Sequence, residues 1–314
     1  PDAESLSTRQ PAGMYAPASP GGGDVDQDRR AGTVSTLARA IVHAANAGAR
    51  VINLSVVACI PTLKPVDQTT LGAAVRYAAR DKDAVLIAAA GNTANPGCAQ
   101  NPDIDATDAT DPRNWDQVVT VSTPAWFSDY VLAVSATDAA GQPAVDESGR
   151  EISLAGPWVG VAAPGLFVEG VTEAGGIINA TFDSQKNMLK PMSGTSFSAA
   201  YVSGLAALIR GKYPTLPAAQ VINRITATAH SPAAVVDNRI GHGVIDPLAA
   251  LNFDVPEVPQ PRESVSRPLE PPPPAPPVDG RPKLIALAGM GVLAVVLASV
   301  LGIGAMANAR GGKR

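Results

Sequence analysis

The chain is poor in aromatic residues and carries no excess of positive charge. Only 4% of its 314 residues are aromatic while 46% are hydrophobic, which predicts an interior of small Ala and Val side chains, as in many α/β folds. The formal net charge of −4 at pH 7 argues against a nucleic-acid partner. The first ten residues have neither the basic start nor the apolar run of a signal peptide.

Cysteine is scarce as well, since Cys59 and Cys98 are the only two. No histidine lies near either one, so the ligand shell of a zinc site is incomplete, and we expect no metal and no cofactor. An isolated pair fits one disulfide bond if the domain lies outside the cytoplasm, or two inert buried thiols if it lies inside.

Most of the chain alternates apolar, β-branched runs with amphipathic stretches. This rhythm predicts an α/β fold with a parallel sheet, right-handed crossovers and helices on both faces. Residues 11–30 are rich in Gly, Pro and Asp and predict a surface loop, after which Thr33 or Ser35 caps the first helix. The predicted strands are 50–57, 84–90, 118–121, 131–135 and 159–164; the predicted helices are 34–45, 67–80, 197–208 and 217–229; and 166–190 is a hairpin or loop.

An acidic stretch at residues 93–117 lacks apolar periodicity. It contains Asp103, Asp105, Asp108 and Asp111, but it has neither the glycine nor the terminal glutamate of an EF-hand calcium loop. We therefore interpret it as a solvated loop rather than a calcium site.

The composition changes after Phe253. Residues 254–283 are rich in proline and predict an extended, semi-rigid linker. Residues 284–307 are almost entirely apolar, and their 24 residues are enough to cross a hydrocarbon core of about 30 Å. Residues 308–314 form a short basic tail, so we expect one transmembrane helix with the folded domain outside and the tail inside.

Residues 193–208 contain the strongest functional signal. Small residues lead into an uncharged helix whose bulky side chains, at Phe197, Tyr201, Leu205 and Leu208, recur at helical spacing. A hydroxyl at the start of such a helix lies at the positive end of the helix dipole, which suits a nucleophile whose transition state is anionic. The alternative is an ordinary Ser or Thr cap on a core helix.

The particular string favours the nucleophile. Gly194-Thr195-Ser196, followed by Ala199, Val202, Gly204, Ala206 and Leu208, resembles the active-serine motif of subtilisin-like proteases. Upstream, Ala88-Ala89-Ala90-Gly91-Asn92 resembles the oxyanion-asparagine loop of the same family. The resemblance implies that Ser196 is the nucleophile and that the side-chain amide of Asn92 donates to the oxyanion.

Other segments narrow the resemblance to the mycosins, the membrane-anchored subtilisin-like proteases of mycobacterial type VII secretion. They are residues 111–115, 123–126, 200–208 and 224–229, together with the proline-rich stretch and the apolar C-terminal segment. This resemblance implies a peptidase domain at 1–253, exposed on the extracytoplasmic side of the cell membrane. It also implies exported protein substrates and a type VII secretion membrane complex as partner.

The triad motifs for Asp and His are missing, although subtilases carry them ahead of the serine. His43 lies within the first predicted helix, His230 precedes a Ser-Pro pair, and His242 follows the serine, so none matches the motif of a catalytic base. We therefore expect an N-terminally truncated mycosin with little or no activity. The alternative is a catalytically incompetent, protease-like scaffold of the secretion complex.

The resemblance also implies a substrate-binding edge. Ser55 and Val56 lie where family members pair with the substrate backbone, and Ala90 and Gly91 precede the oxyanion asparagine. The glycine pair usual after this strand is replaced by Val57-Ala58. Since Cys59 follows one predicted parallel strand and Cys98 follows the turn after the next, we predict that the two cysteines form a disulfide that braces this cleft.

Overall fold

A computed structural model describes residues 4–5, 25–105, 108, 110–172, 175–183 and 187–257. Within these ranges no helix is long and apolar enough to cross a membrane, and the predicted transmembrane segment 284–307 lies outside them. The helices are α1 (Val25–Asn46), α2 (Thr69–Arg76), α3 (Thr195–Lys212), α4 (Ala218–Ala227) and α5 (Pro247–Asn252). The strands are β1 (Val51–Leu54), β2 (Ala58–Pro61), β3 (Val85–Ala89), β4 (Thr120–Thr123), β5 (Val131–Thr137), β6 (Val159–Pro164), β7 (Gly170–Val171), β8 (Ile177–Ile178), β9 (Ala180–Asp183) and β10 (Met188–Pro191).

A four-stranded parallel sheet forms the centre, in the order β1-β3-β5-β6. Its two inner strands are buried along their whole length, which is why their sequences are continuous apolar runs rather than alternating ones. The predicted α/β class and parallel sheet are therefore confirmed.

Helices cover both faces of this sheet and divide the interior into two cores. Successive side chains of a strand point to opposite faces. Leu86 and Ala88 accordingly pack in the core with α1 and α2, while Val85, Ile87 and Ala89 pack in the core with α3 and α4.

Helix α3 packs directly on the sheet and contacts all four of its strands. Small side chains allow this close approach, since the buried positions include Ala199, Val202 and Ala206. The bulky residues that recur at helical spacing do not all lie in the core, because Tyr201 and Leu208 are about half exposed, at 46% and 50%. The buried side of α3 combines the small residues with Leu205 and Ile209.

Several local predictions differ from the structure. Helix α1 begins at Val25, inside the segment predicted as a loop, because residues 25–33 contain too few apolar side chains to show a helical period. The strand predicted at 118–121 is found as β4, but it pairs antiparallel with β2 outside the main sheet. Strand β2 and helix α5 were not predicted, although Asp246 and Pro247 form a standard helix start, with the Asp246 carboxylate accepting from the Ala249 amide.

The segment between β6 and α3 forms two antiparallel hairpins, β7–β8 and β9–β10, as the prediction of a hairpin or loop allowed. The amide of Val168 donates to the Met192 carbonyl at 2.8 Å, and the amide of Met192 donates to the Asn179 carbonyl at 3.1 Å. The hairpins are therefore tied at their base, and the chain returns beside the end of β6 just before α3 begins.

Candidate active site

The carboxyl ends of β3 and β6 meet the start of α3. The amide of Gly194 donates to the Gly165 carbonyl at 2.7 Å, and the Ser198 hydroxyl donates to the Pro164 carbonyl at 3.2 Å. The first turn of α3 is thereby fixed at the edge of the sheet where open α/β folds bind their ligands.

Two glycines permit this approach. Gly194 has φ of +142°, and a Cβ there would lie 3.4 Å from both terminal atoms of the Asn92 carboxamide. A Cβ on Gly165 would lie 2.6 Å from the Ala136 Cβ and 2.3 Å from the Ser198 hydroxyl. A larger residue at Gly165 would therefore clash with β5 and α3, whereas at Gly194 the space suffices and the positive φ is what favours glycine.

Asn92 is positioned by the residue that precedes Ser196. Its Oδ1 accepts hydrogen bonds from the Thr195 amide at 3.0 Å and from the Thr195 hydroxyl at 3.1 Å. An amide N–H can only donate, so the atom that faces it must be the carboxamide oxygen. The Nδ2 group, which has no hydrogen-bond partner among the described residues, must therefore point the other way.

Ser196 is the second residue of α3 and is half-buried. Its hydroxyl donates to the main-chain carbonyl of Ser55 at 3.1 Å. In return, the Ser55 hydroxyl donates to the Ser196 carbonyl, also at 3.1 Å. The structure thus brings together Ser196, Asn92 and the segment after β1, which come from three separate parts of the sequence.

The four predicted substrate-binding residues differ in exposure. Val56 is 39% exposed and Ser55 is half-buried, whereas Ala90 is fully buried and Gly91 is buried behind them. The main-chain amide of Ala90 already donates a hydrogen bond within the sheet, to the Val134 carbonyl at 2.9 Å. Only Ser55 and Val56 therefore present side-chain surface at this edge.

None of the three histidines hydrogen-bonds to Ser196 within the described structure. The amide of His242 donates to the Gly160 carbonyl, which is about 16 Å along β6 from Gly165. Burial, and then the nearby positive charge of Arg113, lower the pKa of His242. His230 instead contacts the Asp246 carboxylate, with Nε2 to Oδ2 at 3.3 Å, and His43 is exposed on α1. Within the described residues, the Ser196 hydroxyl therefore donates to a main-chain carbonyl and not to a histidine.

Cys59 and Cys98 are joined by a disulfide, with their Cα atoms 5.2 Å apart. The Asn95 amide donates to the Asn92 carbonyl at 2.9 Å, and the Cys98 amide donates to the Asn95 carbonyl at 3.1 Å. The bridge therefore ties the short loop that follows Asn92 to strand β2.

Carboxylates of the acidic loop are bonded to groups within the loop and to one arginine outside it. Asp108 accepts from the hydroxyl and amide of Thr110, and these hydrogen bonds lower its pKa. Asp111 accepts from the Asp116 amide, and Asp103 pairs with Arg239 at 2.7 Å. No group of three or more His, Cys, Asp or Glu side chains suited to a metal ion occurs in the described parts of the chain.

Two contributors to the site were not predicted as such. Thr195 orients the Asn92 carboxamide, and its place inside the Gly-Thr-Ser string was the available signal. Asn53 donates from Nδ2 to the Ser55 hydroxyl at 3.0 Å, a contact with no signature in the sequence.

Comparison with known proteins identifies the family. The model of the subtilase family matches residues 13–243. Mycosin-2 of Mycobacterium tuberculosis is 50% identical over 313 residues, covering 96% of this chain and 55% of that protein. Mycosin-3 of the same organism is 42% identical over 317 residues, covering 99% of this chain and 67% of that protein.

Solved structures agree with these matches. A crystal structure of MycP1 with its N-terminal propeptide removed has a TM-score of 0.68 and 48% identity, over 73% of this chain and 70% of that one. A chain of the intact ESX-5 inner membrane complex has a TM-score of 0.71 and 49% identity, over 90% and 63%. The chain spans about half the length of Mycosin-2 and two thirds of Mycosin-3. It belongs to the subtilase family and, within that family, to the mycosins.

Proposed function

We propose that this chain carries the nucleophile and oxyanion site of a serine-type endopeptidase, with Ser196 as nucleophile and Asn92 as oxyanion donor. The observation that carries the proposal is the double hydrogen bond from Thr195 to the Asn92 Oδ1. It leaves the Nδ2 donor available beside the residue that bears the nucleophile.

The chemistry follows from these positions. The Ser196 hydroxyl attacks the scissile carbonyl, and negative charge develops on the carbonyl oxygen. The Asn92 amide and the dipole at the start of α3 stabilise that charge. The Ser196 hydroxyl must lose its proton as it attacks, so a base from outside the described residues has to replace the Ser55 carbonyl as its hydrogen-bond acceptor.

The substrate is proposed to be an exported protein. Ser55 and Val56 form the accessible edge for its backbone, and Ala90 and Gly91 form the buried support behind them. Residues 1–253 would be the peptidase domain on the extracytoplasmic side, 254–283 the linker, 284–307 the membrane helix and 308–314 the cytoplasmic tail.

The partner is proposed to be a type VII secretion membrane complex. Similarity to a chain of the intact ESX-5 inner membrane complex and to one of its periplasmic assembly supports this. In membranes from cells that make the tagged chain, we expect it to co-purify with such a complex, and added protease should cut residues 254–283 from outside the cell. Protection of that stretch in intact spheroplasts would contradict the orientation.

A fluorophosphonate probe tests the enzymatic proposal. Two proteins are compared. One is the chain alone, and the other, the joined protein, is the chain fused after the part of Mycosin-2 that precedes the matched segment. Each is also made as a Ser196→Ala control. We expect the joined protein to label at Ser196, the chain alone to label weakly, and neither control to label.

A second candidate is an inactive scaffold, which the bond from the Ser196 hydroxyl to a main-chain carbonyl favours. Absence of labelling in the correctly folded joined protein, with retained binding to the secretion complex, would support the scaffold and reject the enzyme.

A further inference from the structure

A chain of hydrogen bonds links β1 to two points on α3. Asn53, on the edge strand β1, donates from Nδ2 to the Ser55 hydroxyl at 3.0 Å, and its Oδ1 lies 3.2 Å from the Ser203 hydroxyl. Ser55 then donates to the carbonyl of Ser196. Ser203 follows Ser196 by seven residues, which is about two turns, so both lie on the same face of α3.

The direction of each of these bonds follows from the groups that form it. A serine hydroxyl has one proton to donate and can accept at its lone pairs. Because a carbonyl can only accept, the single Ser55 proton points at the Ser196 carbonyl, and the Ser55 oxygen accepts from the Asn53 amide. The Ser55 carbonyl, held by the same segment, is the acceptor of the Ser196 hydroxyl. Asn53 therefore bonds to the Ser55 hydroxyl, one member of this reciprocal pair of hydrogen bonds, without contacting Ser196 itself.

We propose that Asn53 is a positioning residue, which holds the main chain at Ser196, and with it the nucleophile, in place through the Ser55 side chain. The inference rests on the proposed role of Ser196 as nucleophile. None of the three side chains is fully buried, since Asn53 is exposed and Ser55 and Ser196 are both half-buried, so hydrogen bonds add to what packing supplies. The contribution of Ser203 is smaller, because its one proton also has the Ala199 carbonyl as an acceptor at the shorter distance of 2.8 Å.

The decisive variant is Asn53→Asp, which keeps the shape and the Oδ1 acceptor but removes the donor. The Ser55 proton then turns toward the new carboxylate, and the Ser196 carbonyl keeps only its intrahelical hydrogen bond. We expect the maximal rate of fluorophosphonate labelling in the joined protein to fall about 5- to 10-fold, the effect of one lost hydrogen bond, with the probe's binding constant unchanged. Ser203→Ala should change the rate less than about twofold. Ser148→Ala, which removes a hydroxyl bonded to Asp146 in an exposed turn, should leave it unchanged.

A double-mutant cycle separates positioning from a general loss of stability. If Asn53 acts through the Ser55 hydroxyl, Asn53→Asp should have no further effect on the labelling rate once Ser55→Ala is present. Additive losses, or an unchanged rate in the single variant, would overturn the proposal.

Hydrogen exchange provides a readout that does not depend on reactivity. Asn53→Asp should speed amide exchange at residues 195–197 in the chain alone, while exchange in the buried strand β3 stays as in the parent. If the parent protein never labels but this local change is seen, the positioning role stands and the enzymatic proposal fails. If exchange at 195–197 does not change, the positioning role fails whatever the labelling shows.

Discussion

The two ends of strand β6 differ in the groups that contact them, which are uncharged at the carboxyl end and include ionic groups at the amino end. At its carboxyl end, Pro164 and Gly165 hold the start of α3 through main-chain and hydroxyl bonds, with no charged group among these contacts. At its amino end, the Val159 carbonyl accepts from the Arg113 guanidinium at 3.1 Å, and the Gly160 carbonyl accepts from the His242 amide. One strand thus carries an uncharged, glycine-lined edge at one end and a cluster of ionic groups at the other.

At the amino end of β6, the donor groups of Arg113 form hydrogen bonds within the fold. Arg113 donates from Nε to the Asn238 side chain at 2.8 Å and from Nη2 to the carbonyls of Val159 and Asp237. Burial lowers the pKa of Arg113, against the opposite effect of Asp237, but an arginine stays charged near neutral pH. Nearby, Arg239 forms ion pairs with Asp103 and Glu151. These contacts hold the amino end of β6 in place, whereas the Asn92 Nδ2 group at the other end has no hydrogen-bond partner among the described residues.

The largest effect is expected at the carboxyl end, from Asn92→Ala. Removing one oxyanion donor costs about 10²–10³ in kcat, a range measured in subtilisin, a member of this chain's own family, rather than derived from this structure. The joined protein should lose peptide cleavage by that factor with little change in KM. Asn95→Ala, in the same loop, is the matched control. A loss below threefold for Asn92→Ala would remove Asn92 from the site.

The second largest effect is expected from opening the disulfide bond. Cys59 and Cys98 are 39 residues apart, and opening a bridge that closes a loop of this size destabilises a fold by roughly 2–4 kcal/mol. In the Cys59→Ser, Cys98→Ser double variant we expect urea unfolding to shift by this amount. Labelling at Ser196 should also fall, because the loop after Asn92 is no longer tied to β2. An unchanged unfolding midpoint would show that the hydrogen bonds of that loop are sufficient.

The residues tested in these two predictions were identified from the sequence alone. Ser196 and Asn92 were predicted because the strings that contain them, at residues 194–208 and 88–92, resemble the motifs of subtilisin-like proteases. The parallel sheet was predicted because fully buried strands produce continuous apolar runs. Such signals are carried by consecutive residues.

The rest depended on contacts between distant residues. The pair of Asn53 and Ser203 is separated by 150 residues, and Arg113 and Asn238 by 125, so neither pair has a sequence period. Helix α1 was predicted too short because its first turns have almost no apolar side chains. Side-chain polarity identifies candidates for buried hydrogen bonds, but only the fold selects their partners.

At the amino end, Arg113→Met should affect stability and not reactivity. The change leaves the Asn238 side chain and two carbonyls without their donors, and hydrogen bonds to a charged group contribute about 1.5–3 kcal/mol each. We expect urea unfolding to show a loss of at least about 2 kcal/mol. Arg113→Lys should recover only part of it, because a lysine cannot reproduce the planar fork. If the labelling rate of Ser196 falls by more than the loss of folded protein explains, the amino end of β6 also affects reactivity, and the two ends do not have separate roles.

The smallest effect is expected for His242→Asn, and it concerns the pH dependence of stability. The pKa of His242 is lowered in the folded protein by burial and by Arg113, so the unfolded chain takes up the proton more readily. As the pH falls through about 6.5, the ordinary pKa of histidine, protonation of the unfolded chain therefore favours unfolding. The variant lacks this proton uptake, so its urea midpoint should fall less than that of the parent between pH 7.5 and 5.5. His230 and its contact with Asp246 are common to both proteins and cancel in the difference. The pH profile of labelling at Ser196 should be the same in both proteins, because His242 lies at the far end of β6. A profile that changes with this substitution would make His242 part of the reaction and would end the separation between the two ends of the strand.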